Sequence, residues 1–226
     1  MSTAKPIEYK HYLDRVTGKA YRTYSYKRRP CKRIELRSRL VDQLAGYTLM
    51  EKDLRSVAIW LKEIEKLHTD GPKRKTESFH NSQDREKYNL IKGLFVAALT
   101  FYGKCFTKCE GRPVKLERAQ LDALFHEIHD SSISLRHNFA AHSGARRIEH
   151  VEIALVFPDR PTSTSPFQIF RELHQPDLFW PEPPDKTLHD LVAHVKQIVD
   201  AKITRLSEKV VKEEVLPNAR KYGMVR

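Results

Sequence analysis

The chain lacks most of the short signatures that announce a chemistry. It has no glycine loop able to cradle a phosphate, no serine at a strand-to-helix elbow and no thiol–histidine pairing, which leaves little basis for an ATPase or a covalent hydrolase. Its three cysteines, Cys31, Cys105 and Cys109, are too few and too unevenly placed for a disulfide framework. Cys105 and Cys109 fall four apart on a predicted helix, where two small buried thiols are the usual outcome and a metal pair is the rarer one. No apolar run reaches membrane-spanning length, and the N-terminus is polar and basic rather than leader-like. A cytoplasmic location without a membrane partner is the expectation, and no internal repeat divides the chain. What is present suffices for a folded protein: 226 residues, 40% of them hydrophobic, with two long periodic segments.

Acidic residues are scarce at one end. Residues 1–40 carry twelve Lys or Arg against Glu8, Asp14 and Glu35, a net of +9 out of the +12 of the whole chain. Tyr9, Tyr12, Tyr21, Tyr24 and Tyr26 are interleaved with these cations, and single-stranded nucleic acid prefers that combination of stacking faces and positive charge. Arg22, Tyr24, Tyr26, Lys27, Arg28 and Arg29 are therefore candidate RNA contacts. The alternative is a solvated basic extension, or one that packs on a partner subunit, because tyrosine and arginine are also ordinary residues of a hairpin surface.

The pattern predicts a mainly α fold: a basic arm over 1–40, a helical bundle over 41–213 and a tail over 214–226. Asp14-Arg15-Val16-Thr17-Gly18-Lys19 separates two Tyr-rich alternating stretches, Tyr9 to Leu13 and Ala20 to Tyr26, as a hairpin loop would. Leu40, Leu44, Tyr47, Met50, Leu54, Val57, Leu61 and Ile64 form the stripe of a long amphipathic helix that ends near His68, before Asp70-Gly71-Pro72. A second helix, Asp84 to Cys109, is apolar on nearly every side between Gly93 and Tyr102 and is expected at the centre of the bundle. After Gly111-Arg112-Pro113 a shorter helix should face the core through Leu121, Leu124, Phe125 and Ile128. Ser131 or Ser132 can cap another that ends at Gly144. Two alternating segments follow, Val151 to Phe157 and Phe167 to Leu173, joined by a loop over Pro158 to Pro166. The stretch Pro176 to Pro184 is expected to be pinned to the core by Phe179 and Trp180. A last helix spans about Lys186 to Glu213, long enough to pack on the bundle or to pair with another chain.

The run Leu135-Arg136-His137-Asn138-Phe139-Ala140-Ala141-His142-Ser143-Gly144 places an arginine and a histidine six apart in an otherwise apolar helix. An arginine withdrawn from water needs partners, and a histidine near its ordinary pKa gives or takes a proton at neutral pH. The pair suits an anion-handling, proton-transferring site. Six residues of ideal helix set Arg136 and His142 about 120° apart in azimuth and about 9 Å apart in rise, so a local irregularity or a second chain is needed to join them. Asn138 and His142, four apart, share a face.

Arg136-His137-Asn138-Phe139-Ala140-Ala141-His142, lying after two long helices and a short one, resembles the motif of the HEPN domain, an all-helical bundle of prokaryotic toxin, abortive-infection and RNA-processing systems. The tail Ala140 to Gly144 followed by a strand is similar to the abortive-infection AbiU-like branch. The resemblance covers roughly residues 40–213, although its specific part is about ten residues long. It implies phage-defence ribonuclease chemistry without metal or other cofactor, at a homodimer interface where two motifs meet, with a cognate antitoxin or nucleotidyltransferase as a further partner. His142 would take the proton of a ribose 2′-hydroxyl, Arg136 would stabilise the phosphorane, and His137 or the second subunit's His142 would protonate the leaving oxygen. Asn138 would orient the phosphate or the histidine.

Structural roles compete with each assignment. Arg136 can instead tie helices together through Asp130 or Glu127, and His142 can interact with the last carbonyls of its helix. The same fold can also bind nucleic acid or a protein without cutting anything. His126 and His129 are three apart rather than four and have no clear third ligand, so a metal site there is not expected; the partly exposed end of a helix is.

Overall fold

The computed structural model describes residues 7–69, 82–137, 150–160, 162–174 and 186–224. Its architecture is mainly helical with two small antiparallel sheets. Strands β1 (Glu8–Leu13), β2 (Ala20–Tyr26) and β3 (Arg29–Pro30) form the first sheet in that order. Helices α1 (Arg39–Thr69), α2 (Ser82–Lys104) and α3 (His126–Leu135) follow, then the ribbon of β4 (His150–Val156) with β5 (Gln168–His174), and finally α4 (Leu188–Val210).

The long stripe of α1 does what its spacing predicts. Met50, Leu54, Val57, Leu61 and Ile64 are buried, and they meet Ile91, Phe95, Ala98, Leu99 and Tyr102 of α2 on one side and Leu191, Val192, Val195 and Val199 of α4 on the other. The central helix is therefore α1 and not α2, because its stripe is wide enough to serve two neighbours. Much of the all-round apolar surface of α2 stays only half-buried, with Leu90 exposed. Helix α4 packs on the bundle and starts where Thr187 and Asp190 cap each other reciprocally, Thr187 Oγ1 accepting from Asp190 N at 3.2 Å and Asp190 accepting from Thr187 N at 2.9 Å. Its end continues into a π turn, Val211–Val215, where Glu214 accepts a 2.6 Å bond from Ser38 Oγ at the start of α1.

Three further expectations need correction. Helix α2 ends at Lys104, five residues before Cys109: the amides of Cys105 and Phe106 turn back to the carbonyls of Tyr102 and Gly103, and Leu116 N bonds to Cys105 O at 2.8 Å, tying the exit segment across the helix end. Cys105 is buried as expected, but Cys109 lies outside the helix and is only half-buried. The segment of Arg118 to Phe125 holds two short 3₁₀ turns, Arg118–Gln120 and Ala123–Phe125, where a helix through Leu121 to Phe125 is expected, and Leu124 faces solvent. Ser131 and Ser132 cap nothing: both lie inside α3, and Ser132 Oγ donates to Ile128 O at 2.7 Å, satisfying its hydroxyl within the helix. Asp70-Gly71-Pro72, Gly144 and Pro176 to Pro184 lie outside the described residues.

Candidate functional site

Arg136 follows the last residue of α3, where the hydrogen-bond ladder widens into a π-type turn through His137. This is a local irregularity at the position where a regular helix would separate the motif's two ends. The Arg136 side chain is half-buried against the C-terminal end of α2. Its Nη1 donates to Thr107 Oγ1 at 3.0 Å, and Thr107 Oγ1 donates in turn to Gly103 O at 2.9 Å. Gly103 is what lets the arginine lie so close: a Cβ there would collide with Arg136 Cδ and stand 2.7 Å from Nε.

Neither candidate carboxylate pairs with Arg136, and Glu127 is exposed on α3. Asp130 belongs to Arg118, in a forked pair with both contacts at 2.8 Å, and that guanidinium holds its carboxyl below the usual range. Among the described residues no carboxylate pairs with Arg136, whose one hydrogen-bond partner there is the neutral Thr107 hydroxyl. Its charge is met by a hydroxyl and by the carbonyl end of α2, which favours a cation without neutralising it. His137 is exposed beside it; Asn138 and His142 lie outside the described residues.

Two turns before Arg136, His129 proves to be buried rather than partly exposed. Its Nδ1 is 2.7 Å from Tyr102 Oη, and its ring packs on Phe106 with centroids 4.4 Å apart. Burial holds this imidazole below its ordinary pKa and pushes the Tyr102 phenol far up, so the pair is neutral. His126 turns away to Leu121 O at 3.2 Å, so the two histidines do not converge.

A second buried polar node has no motif to announce it. Arg112 donates to Asp53 Oδ2 at 3.2 Å, to Cys109 Sγ at 3.3 Å and to the carbonyl of Lys104, joining α1 to the exit of α2. A lone arginine after a glycine in a loop reads as solvated, and only the fold brings Asp53 to it. Close by, burial pushes the Cys105 thiol up to about 12, which leaves it unreactive.

In the arm, the register sorts the predicted contacts. Tyr9 opposes Tyr24, His11 opposes Arg22 and Tyr26 opposes Arg29, so these six residues share one face of the three-stranded sheet. Arg22 lies over the Tyr9 ring at 5.4 Å and donates from Nε to His11 Nδ1 at 3.3 Å. Tyr12 and Tyr21 stack on the opposite face at 5.4 Å. Lys27 and Arg28 form the two-residue turn into β3, both with positive φ (49° and 63°), the backbone hand that matches strand twist but that non-glycine residues rarely adopt. Lys27 Nζ lies 5.4 Å from the Tyr26 ring centroid. Four of the six predicted contacts, Arg22, Tyr24, Tyr26 and Arg29, are thus brought onto one surface, and the other two onto its rim. No family model matches the chain, and neither a curated protein nor a solved structure does.

Proposed function

We propose that the chain is a metal-independent endoribonuclease of the HEPN-like, toxin or abortive-infection type, acting as a homodimer and holding RNA through its basic arm. The observation that carries this reading is Arg136: a half-buried guanidinium, positioned by Gly103 and Thr107, with a neutral hydroxyl in place of a carboxylate partner among the described residues. Such a cation suits a phosphate. Arg136 would donate to the equatorial oxygens of the pentacoordinate phosphorus while His142 removes the 2′-hydroxyl proton, and His137 or the second subunit's His142 would return a proton to the 5′-oxygen. Asn138 would hold the phosphate or the histidine. The products would be a 2′,3′-cyclic phosphate and a 5′-hydroxyl end.

The test is incubation of the purified full chain with total RNA in the presence of EDTA. Cleavage should persist under chelation and fall at least about 100-fold in both His142→Ala and Arg136→Ala while each variant stays folded. Wild-type cleavage by His142→Ala would refute the assignment. A second reading, RNA binding without cleavage, is favoured by the aromatic and basic face of the arm sheet, and it predicts retention of RNA with intact ends.

A further inference from the structure

Among the described residues, the β4–β5 ribbon carries a run of large apolar side chains that the bundle leaves uncovered. Its register pairs Val151 with Leu173, Ile153 with Arg171, Leu155 with Ile169 and Val156 with Gln168, which puts Val151, Ile153, Leu155 and Phe157 of one side with Ile169 and Phe167 of the other on a single face. These six side chains are exposed, from 52% at Val151 to 75% at Phe167. The opposite face carries Glu152 directly across from Glu172, beside Ala154, Val156 and Phe170. A two-stranded ribbon is marginal by itself, and six adjacent large apolar side chains on one of its faces call for a cover.

We propose that this face is an interface between two copies of the chain, packed ribbon on ribbon. Size is the first argument: the six side chains expose roughly 700 Å², more than a monomer's typical largest patch, and burying two such faces removes roughly 1,400 Å², within the range of a stable interface. Charge is the second. Among the described residues of the face the only charged one is Arg171, so the surface has no pattern for an acidic or basic partner to match, and the acidic pair behind it disfavours an anionic membrane. Self-packing satisfies it. A two-fold axis lying between the ribbons and running across the strands at Leu155 and Ile169 sets Phe157 of one copy over Ile153 of the other and Phe167 over Arg171, a ring against a guanidinium, and keeps the two Arg171 side chains roughly 13 Å apart along the strands. The interface stands whether or not the chain cuts RNA.

The experiment is sedimentation equilibrium of the full chain without RNA over a wide concentration range, with amide exchange of the ribbon at both ends of that range. The wild type should dimerise, with β4 and β5 protected only at high concentration. Leu155→Glu brings two carboxylates together at the axis and should weaken association at least tenfold. Ile153→Glu should weaken it while preserving the ribbon, since the new carboxylate lies across from Arg171. Gln168→Lys, on the opposite face, should leave it unchanged. A wild type that stays monomeric would overturn the proposal, as would undiminished association in both glutamate variants. A ribbon protected in the monomer would also overturn it, by showing that the chain covers the face itself.

Discussion

At the residue scale the molecule is governed by a few polar groups placed where water is scarce. Gly103 is the plainest case, because the space that a methyl group would occupy is filled by Arg136. Gly103→Ala should change stability by under about 1 kcal/mol in denaturant unfolding, since the helix gains an alanine while the flexible end of Arg136 is pushed aside, and should lower RNA cleavage alongside Arg136→Ala if that guanidinium acts on phosphate. The Asp53–Arg112 pair is a second case. Both residues are buried, and among the described residues Arg112 Nε has no hydrogen-bond partner of its own, so the site depends on its remaining contacts. Asp53→Ala should destabilise by about 3–5 kcal/mol, because it strands a buried cation. His129 sets a pH dependence. Desolvation is the main cause of its lowered pKa, opposed by the nearby Asp130 charge. The unfolded chain therefore takes up a proton near pH 6.5 that the folded chain resists; the contribution is fully present above that pH and is lost as pH falls below it. Melting temperature measured from pH 8 to pH 5 should fall more steeply for the wild type than for His129→Gln.

At the scale of elements, periodicity and burial agree where helices are long and part company where they are short. Leu54 is fully buried between α1 and its neighbours, whereas Leu124, on an equally apolar-looking segment, is 56% exposed. Leu54→Ala should cost about 2–5 kcal/mol and Leu124→Ala under about 0.5 kcal/mol, a contrast that thermal or chemical melts will resolve. Over the few residues that precede α3 the pattern is too brief to distinguish a helix from two 3₁₀ turns, and a serine inside a helix looks the same in sequence as one that starts it. Ser132 resolves the ambiguity only through its bond to Ile128 O, which exists because the helix is already there. At the start of α4, Thr187 and Asp190 fit the capping motif, and periodicity by itself locates that start only to about Lys186.

For the whole molecule, the question is whether the arm and the bundle do separate work. The arm holds a net charge of +9, and one face of its sheet gathers Tyr9, His11, Arg22, Tyr24, Tyr26 and Arg29. If that face binds RNA, deleting residues 1–37 should weaken binding and flatten its dependence on salt, because the slope of log affinity follows the number of phosphates neutralised. The bundle should remain folded, since Ser38, which donates to Glu214, is retained. Titrating single-stranded RNA at several salt concentrations checks this, and an unchanged slope would assign the arm a structural role. Among the described residues no helix is long and apolar enough to cross a membrane.

Local rules suffice to read helices α1, α2 and α4, both hairpins and the basic arm from the amino-acid order: a 3.6-residue stripe, a two-residue alternation, a turn that Gly18 enters with φ of 67°, a local excess of charge. That order also singles out Arg136, from the cost of an arginine in an apolar run. Tertiary structure alone decided which helix is central, since the all-round apolar stretch of α2 was a weaker guide than the stripe of α1, wide enough for two partners. It alone decided the partners of the polar groups: Arg118 for Asp130, Thr107 and Gly103 for Arg136, Tyr102 for His129, Asp53 for Arg112. Those pairs span 12 to 59 positions of chain, and no periodicity reports which distant group will be close enough to satisfy a buried charge.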